Sequence, residues 1–449
     1  MAIKEKITDF FERYTQTLNG EKDTYLFSLR EKSIRLFQEL GIPTLKNEEW
    51  KYTRLNFLNS IDFEISNSPL KTMPDNFQIS DYYIDNFEGN ILVFINGFFA
   101  EQFSKIINTD DFTISNLNEA KVKYPDIIKN YLTKYTDESI NPFTALNTAL
   151  ANDGAAIIIS DNSESSKPIH LLFINISDKE NIITNTRNII IVDSNSKAQI
   201  IETSRSLGDY SSFHNSVTEI FIKQNADLEY YKFQNDSNRA YFIGTTHIHQ
   251  ERDSRLLSTT ISLGGKFIRN NLNTILDGEN AEAHFNGLYF IGNEDFVDNH
   301  TLADHAKPHC NSNENYKGII DGKATAVFNG KIMVRPQAQK TNAYQSNKNI
   351  LLSKDATINT KPQLEIFADD VKCSHGATSG FLDRDAIFYF RSRGIDEKKA
   401  QSYLLNSFSS DIIETVSNDS LRDLIKSEVA KKLYMNDLYF CSFLESNKI

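Results

Sequence analysis

The densest group of reactive side chains is the run Val371-Lys372-Cys373-Ser374-His375-Gly376-Ala377-Thr378-Ser379-Gly380. Cys373 and His375 are two positions apart. On a strand, where side chains alternate, they share one face. Their Cα atoms would then lie roughly 6.5–7 Å apart, at about 3.3 Å of rise per residue. Thiolate and imidazole are suitable ligands for iron and iron–sulfur centres. The pair can therefore reach one iron or one small cluster, with the remaining ligands supplied from elsewhere. Lys372 would lower the thiol pKa unless, as the next residue along, it faces the other side. The competing reading is a buried structural cysteine beside a hydrogen-bonded histidine.

Two further groups hold imidazoles. His247 and His249 would share a strand face, as metal ligands or as plain surface histidines. His300, His305, His309 and Cys310 bring three imidazoles and a thiol into eleven residues, a possible zinc or iron set at a spacing that matches no standard metal motif. Nucleotide chemistry has no carrier. Neither G-x-x-x-x-G-K-[ST] nor G-x-G-x-x-G occurs, and Leu263-Gly264-Gly265-Lys266 lacks both the phosphate-loop spacing and the following Ser or Thr. H-E-x-x-H and G-x-S-x-G are also missing. The chain is not expected to hydrolyse ATP by itself.

These residues sit in a chain of 449 residues with 48 basic and 60 acidic side chains, a formal net charge of −12. That length holds about two or three domains of roughly 150 residues, or one long repetitive body. The acidic balance argues against a broad nucleic-acid or anionic-membrane surface. Gly and Pro, at 18 and 9, exclude long flexible linkers and collagen-like segments. Three cysteines, Cys310, Cys373 and Cys441, cannot build a disulfide framework, and an odd count fits a reducing compartment. No apolar run approaches the roughly 18 residues of a membrane helix. The start, MAIKEKITDFFERY, carries acids among its lysines and reads as a mature cytoplasmic chain.

The elements that must position the chemistry change along the chain. Ile7, Phe10, Phe11 and Tyr14 recur at helical spacing, and a second helix spans about Lys22 to Leu40, stopped by Gly41 and Pro43. Asn47 reads as the cap of a helix with Trp50 packed inside. Ile91–Ile95 is a buried-strand run closed by Asn96-Gly97. Lys121–Leu150 reads as more helical. Short strand-like runs then dominate for over two hundred residues, as in Ala156–Ile159, Ile189–Val192, Leu228–Phe233 and Ala326–Phe328. Within them a repeat shows: a turn-like polar pair, a small residue, then alternation. The small residues Ala198, Ala226, Ser254 and Ala281 are spaced by 28, 28 and 27 positions, and Ala324 and Ala356 follow at 43 and 32. Such a period with strand-type contents points to a solenoid. After Asp385 the chain turns helical. Asp396 caps a helix through Ala400, Leu404 and Leu405 to Phe408. Ser420 caps another with the stripe Leu421, Leu424, Ile425 and Val429. The textures divide the chain into an N-terminal helical region (1–89), a mixed strand and helix lead-in (90–155), a solenoid core (156–384) and a C-terminal helical domain (385–449).

The chain resembles the SufB/SufD family of iron–sulfur cluster assembly proteins, and within it the SufD branch. The likeness is densest from Asn311 to Phe408. It includes Tyr316-Lys317-Gly318, Ala326-Val327-Phe328-Asn329-Gly330, Ala338-Gln339-Lys340-Thr341 and Gln345. It continues through Asn349–Ser353, Lys361–Ile366, Ala368–Thr378 and Phe388–Ile395, with Asn47–Tyr52 and Phe143–Asn147 upstream. The Cys-Ser-His-Gly-Ala-Thr block separates the SufD branch from SufB, which carries a Glu-His-Glu type segment there. Ser379 stands where an apolar residue is expected.

The resemblance implies a right-handed parallel β-helix core flanked by N- and C-terminal α-helical segments. It implies a non-catalytic scaffold in a cytoplasmic complex with a SufB paralogue and two copies of the ATPase SufC. SufB would pair through the β-helix ends, with a homodimer in its absence. His375, with Cys373 as the weaker candidate, would contact transient iron or a nascent cluster shared with SufB, and no tightly bound cofactor is expected. SufC would dock on Phe388, Tyr389, Arg391, Arg393 and Ile395 and on Leu404 and Phe408 of the following helix. Two alternatives are a purely structural subunit with no metal contact and a carbohydrate-active β-helix enzyme.

Overall fold

The computed structural model of the chain describes residues 3–17, 24–107, 112–136, 138–163 and 167–434. Cys441 lies outside them. Strands make up 42% and helices 26%, and the strands wind into a β-solenoid of about seven turns with helices at both ends. Each coil gives one strand to each of two ten-stranded sheets, and neighbours along each stack pair in parallel, except at the N-terminal ends, where Phe112–Asn116 and Phe98–Phe99 add antiparallel. One sheet ends at Thr357–Ile366, the other at Lys372–Phe381. At the opposite end, Asn90–Ile95 already belongs to the second sheet, pairing in parallel with Ile169–Ile176. That strand lies in the segment read as a lead-in.

The coils turn at one corner on residues in the left-handed region: Asn195, Asn225, Asp253, Asn280, His309 and Lys340, with φ of 57, 55, 57, 61, 62 and 65°. Asn and Asp tolerate this conformation best. Here they also form a ladder, with Asn225 Nδ2 donating to Asn195 Oδ1 at 3.1 Å and Asn280 Nδ2 to Asp253 Oδ1 at 2.8 Å. The residue after each turn is small or compact and fills the corner: Ser196, Ala226, Ser254, Ala281, Cys310 and Thr341, all buried. Their spacings are 30, 28, 27, 29 and 31. The repeat is therefore more regular than the sequence reading made it. Ala198 is two residues out of phase, since it pairs with Leu228. Ala324 and Ala356 precede strands of the other sheet, which explains the spacing of 43.

Helical layers cover both outer faces. Ile7, Phe11, Ile34, Phe37, Trp50 and Phe57 pack on Phe143, Ile183, Phe213, Ile243 and Phe267 over the first sheet. The helix Pro142–Leu150 is buried along its whole length, capped by Asn141 at one end and by Arg30, which donates to the Ala149 and Ala151 carbonyls, at the other. Leu405, Ile412, Ile413, Leu421, Ile425 and Val429 pack over the second sheet against Tyr231, Phe233, Ile261, Leu288 and Ile319.

Local readings fared unevenly. Tyr25–Leu40 is a helix, with Thr24 as N-cap and Gly41 at φ 66° closing it. Trp50 is buried, under the Arg269 guanidinium at 3.7 Å, but Glu48–Trp50 is a single 3₁₀ turn that Asn47 does not cap. The helical stretch expected over 121–150 is three helices, Leu117–Lys123, Pro125–Tyr131 and Pro142–Leu150, because Pro125 and Pro142 each start a new one. Asp396 caps Glu397–Ile413 through the Lys399 N–H, as expected. The helix Asp419–Tyr434 is capped by Asn418, which accepts the Leu421 N–H at 2.9 Å; Ser420 instead donates to the Asn86 carbonyl. Among the described residues no helix is long and apolar enough to cross a membrane.

Candidate functional site

Parallel register carries each interior side chain into a column along the solenoid axis. In the second sheet, Ala283, Ser312, Ala343 and Cys373 form one column, and Phe285, Glu314, Gln345 and His375 form the next. Cys373 and His375 therefore share the inward face of the last strand, as the alternation predicts. The column that is fully closed at Phe285, Glu314 and Gln345 opens to solvent at His375. Cys373 is half-buried against the apolar core, and burial pushes its thiol above the usual cysteine range. Lys372 points to the opposite face of the strand and does not offset this.

Among the described residues nothing covers this end of the solenoid: Lys372–Phe381 and Thr357–Ile366 each have a paired neighbour on one side only, leaving two ten-residue strand edges open. Unpaired edges are templates for another chain. Ile366, Phe367 and Phe381, at 40, 62 and 63% exposure, line the rim. The floor beneath is polar. Gln345, Asn347 and Asn349 are buried on the inward face of the last covered strand, and Asn347 and Asn349 bond to Tyr289 Oη and to each other. Gln345 Nε2 donates to Glu314 Oε2 at 3.1 Å, and Thr301 Oγ1 donates to the same oxygen at 2.5 Å. Burial pushes the Glu314 carboxyl up to about 7, and those two hydrogen bonds pull the other way.

The other histidine groups do not converge. His305 points inward and bonds Ser312 Oγ, whereas His300 points outward between Asp298 and Glu49. His309 occupies an exposed turn, and Cys310 is core, its thiol pushed up to about 11 by burial. His247 and His249 share the outward face, but His249 stacks on Tyr135 at 4.1 Å and lies 3.2 Å from Asp277. Among the described residues no group of three or more His, Cys, Asp or Glu side chains is placed to hold a metal ion.

The second bare surface follows the last strand. Helix Arg384–Ser392 is capped by Asp383 and buries none of its side chains. Phe388 and Tyr389 are 72 and 57% exposed. The Arg393 guanidinium lies over the Tyr389 ring at 5.1 Å, and Arg391 lies 3.4 Å from Glu397. Ile395 is half-buried; its N–H donates to the Phe390 carbonyl, closing a Schellman-type turn at Gly394. Leu404 is half-buried. Phe408 faces the solenoid: Lys317 Nζ lies 4.8 Å from its ring centroid and donates to its carbonyl. Of the seven residues expected to dock a partner, Phe388, Tyr389, Arg391 and Arg393 form the open surface, while Phe408 is engaged within the chain.

Sequence reasoning missed the interior floor. Glu314 was not singled out, and Gln345 was noted only as part of the resemblance. The signal was available in the repeat, because spacings of 31 and 30 place Glu314, Gln345 and His375 in one column.

Comparison with known proteins bears on this arrangement. Residues 174–408 match the family model "SUF system FeS cluster assembly, SufBD core domain", and residues 1–171 match "SufBD protein N-terminal region". An iron–sulfur cluster assembly SufBD family protein of Synechocystis sp. is 34% identical over 425 residues, covering 92% of each chain. The iron–sulfur cluster assembly protein SufD of Escherichia coli is 31% identical over 406 residues, covering 90% of this chain and 92% of its own. Protein ABCI7, chloroplastic, of Arabidopsis thaliana is 29% identical over 414 residues, covering 89% of this chain and 85% of its own.

Proposed function

The chain belongs to the SufB/SufD family of iron–sulfur cluster assembly proteins and is a SufD homologue, and from that premise we propose that it is the SufD-like scaffold subunit of a cytoplasmic SufBCD assembly complex. In this reading it is not itself an enzyme. A SufB paralogue covers the open solenoid end, one SufC ATPase docks on the helix Arg384–Ser392, and the chain helps iron enter at the SufB interface. The observation that carries the reading is the bare end itself. A solenoid that buries its interior through about seven turns leaves its last two strands, an apolar rim and an inward His375 uncovered.

The chemistry follows from the donors present. Neutral His375 offers a nitrogen lone pair to iron, and Cys373, on the same inward face, is an auxiliary thiol. Two donors do not complete a site, so sulfide and partner side chains supply the rest. SufC dimerisation on ATP binding would pull on both of its anchors, and a shift at the solenoid ends would admit iron and sulfide. Without SufB, the same edges favour a homodimer. Co-expression with the SufB-like and SufC-like proteins of the same source tests the reading. Native mass spectrometry should give a 1:1:2 assembly of this chain, SufB and SufC. A chain that stays outside the complex, or takes SufB's place, would refute it.

A further inference from the structure

The polar stack under the open end does more than fill space. Glu314 and Gln345 are both fully buried in the column that His375 completes. With Gln345 Nε2 committed to Glu314 Oε2, the Gln345 Oε1 atom is left buried without a partner among the described residues. A buried acceptor left unpaired is costly, so its retention calls for an explanation. Space is also reserved for this amide from the facing sheet. A Cβ on Gly330 would fall 2.2 Å from Gln345 Nε2 and 2.7 Å from its Cδ. The amide is thus seated by a glycine on one side and held by a carboxyl on another. Its nitrogen faces down the column to Glu314. The next residue in the opposite direction is His375.

We propose that Gln345 is a positioning residue for His375. Once a partner covers the solenoid end, the free amide oxygen of Gln345 accepts the N–H of one His375 ring nitrogen. That bond fixes the tautomer and leaves the lone pair of the other nitrogen for iron. Glu314 acts one step further back, orienting the amide by accepting its N–H. Metal-ligating histidines ordinarily donate their second N–H to such an acceptor, and its loss weakens metal binding about 10- to 100-fold. The inference rests on the reading of His375 as an iron ligand.

The test is anaerobic ferrous-iron titration of the reconstituted complex carrying wild-type chain, Gln345→Leu, the exchange Glu314→Gln with Gln345→Glu, or His375→Ala. Gln345→Leu removes an unpaired buried oxygen together with one of the two hydrogen bonds to Glu314 Oε2. Thr301 still donates to that oxygen, so the variant should fold and assemble, as thermal melting and native mass would verify. Its iron affinity should fall about 10- to 100-fold. The exchange keeps one donor and one acceptor between the two side chains and still presents an oxygen to His375, so it should recover wild-type affinity. The exchange is isosteric, so it also preserves packing. A purely packing role is separated by Gln345→Leu, where it predicts that any loss of iron affinity comes with a lowered melting temperature. Wild-type affinity in Gln345→Leu, with His375→Ala weakened, would overturn the positioning role and leave the His375 reading standing. An exchange variant as weak as Gln345→Leu would overturn it likewise. Unchanged affinity in His375→Ala would overturn both.

Discussion

Lys317 reaches out from the solenoid to helix Glu397–Ile413, with Nζ 2.8 Å from the Phe408 carbonyl oxygen and 2.5 Å from Asp411 Oδ2. One side chain thereby fixes the helical layer that follows the last strand to the coil two strands beneath it. Lys317 is 6% exposed while Asp411 is 66% exposed, so the buried bond to the carbonyl outweighs the screened ion pair.

Lys317→Met should keep the packing of the aliphatic stem and lose the charge-assisted bond. The expected cost is about 1–3 kcal/mol, concentrated in the C-terminal layer. Hydrogen exchange should accelerate across 397–413 before it does so in the solenoid strands.

Three interior histidines set an acid limit. Burial pushes His170 and His214 down to about 3 and His305 down to about 4. Each stays neutral on a hydroxyl: Thr203, Thr186 and Ser312. From about pH 6.5 downward the unfolded chain binds protons that the folded chain refuses, so stability falls as pH falls. By pH 4.5 each histidine should remove about 2–3 kcal/mol. Glu314, held protonated to about 7, works in the opposite sense and loses stability as pH rises from 4.5 towards 7. Denaturant unfolding from pH 7 to 4.5 should show the net acid loss, and His305→Gln should reduce its slope.

The solenoid interior is also filled to the limit around its tyrosines. A Cβ on Gly318 would meet Tyr289 Cε2 at 2.2 Å and Asn349 Oδ1 at 2.5 Å. Gly318→Ala should cost about 1–3 kcal/mol through overpacking, read as a lower unfolding midpoint with an unchanged denaturant slope. A wild-type midpoint would mean that the Tyr289–Asn349 pair is free to move aside.

Much of this was legible from the chain. Gly41 and Asp396 declared themselves because each acts through neighbours a few residues away, whereas Trp50 was read as packed from its size and apolar character, and its distant partners Phe143 and Arg269 were not legible. The solenoid was visible in its period, yet the phase slipped at Ala198 and Ala324. A single corner residue cannot show which of two sheets follows it. The Cys373–His375 pair was found because alternation alone puts both on one face. Gln345 and Glu314 were not found, since their importance comes from stacking over spacings of about 30 residues. Ser420 failed as a cap because Asn418, two residues earlier, reaches the Leu421 N–H. His300 and His305 looked like partners in sequence, but an odd spacing on a strand sends them to opposite faces.

Phe388, at 72% exposure on a helix that buries no side chain, should matter only to a partner. Phe388→Asp should leave the unfolding free energy within about 0.5 kcal/mol of wild type, as for other exposed sites. It should abolish co-purification with SufC while SufB stays bound. Undiminished SufC binding would place its docking surface elsewhere.

The most direct test of the account is cluster formation at the open end. The reconstituted complex should be assayed anaerobically for bound iron, sulfide and cluster absorbance, with wild-type chain and with His375→Ala. The account predicts an intact 1:1:2 complex that no longer builds clusters when His375 is replaced. Undiminished cluster formation by that variant would contradict it and leave this chain a purely structural holder of its partners.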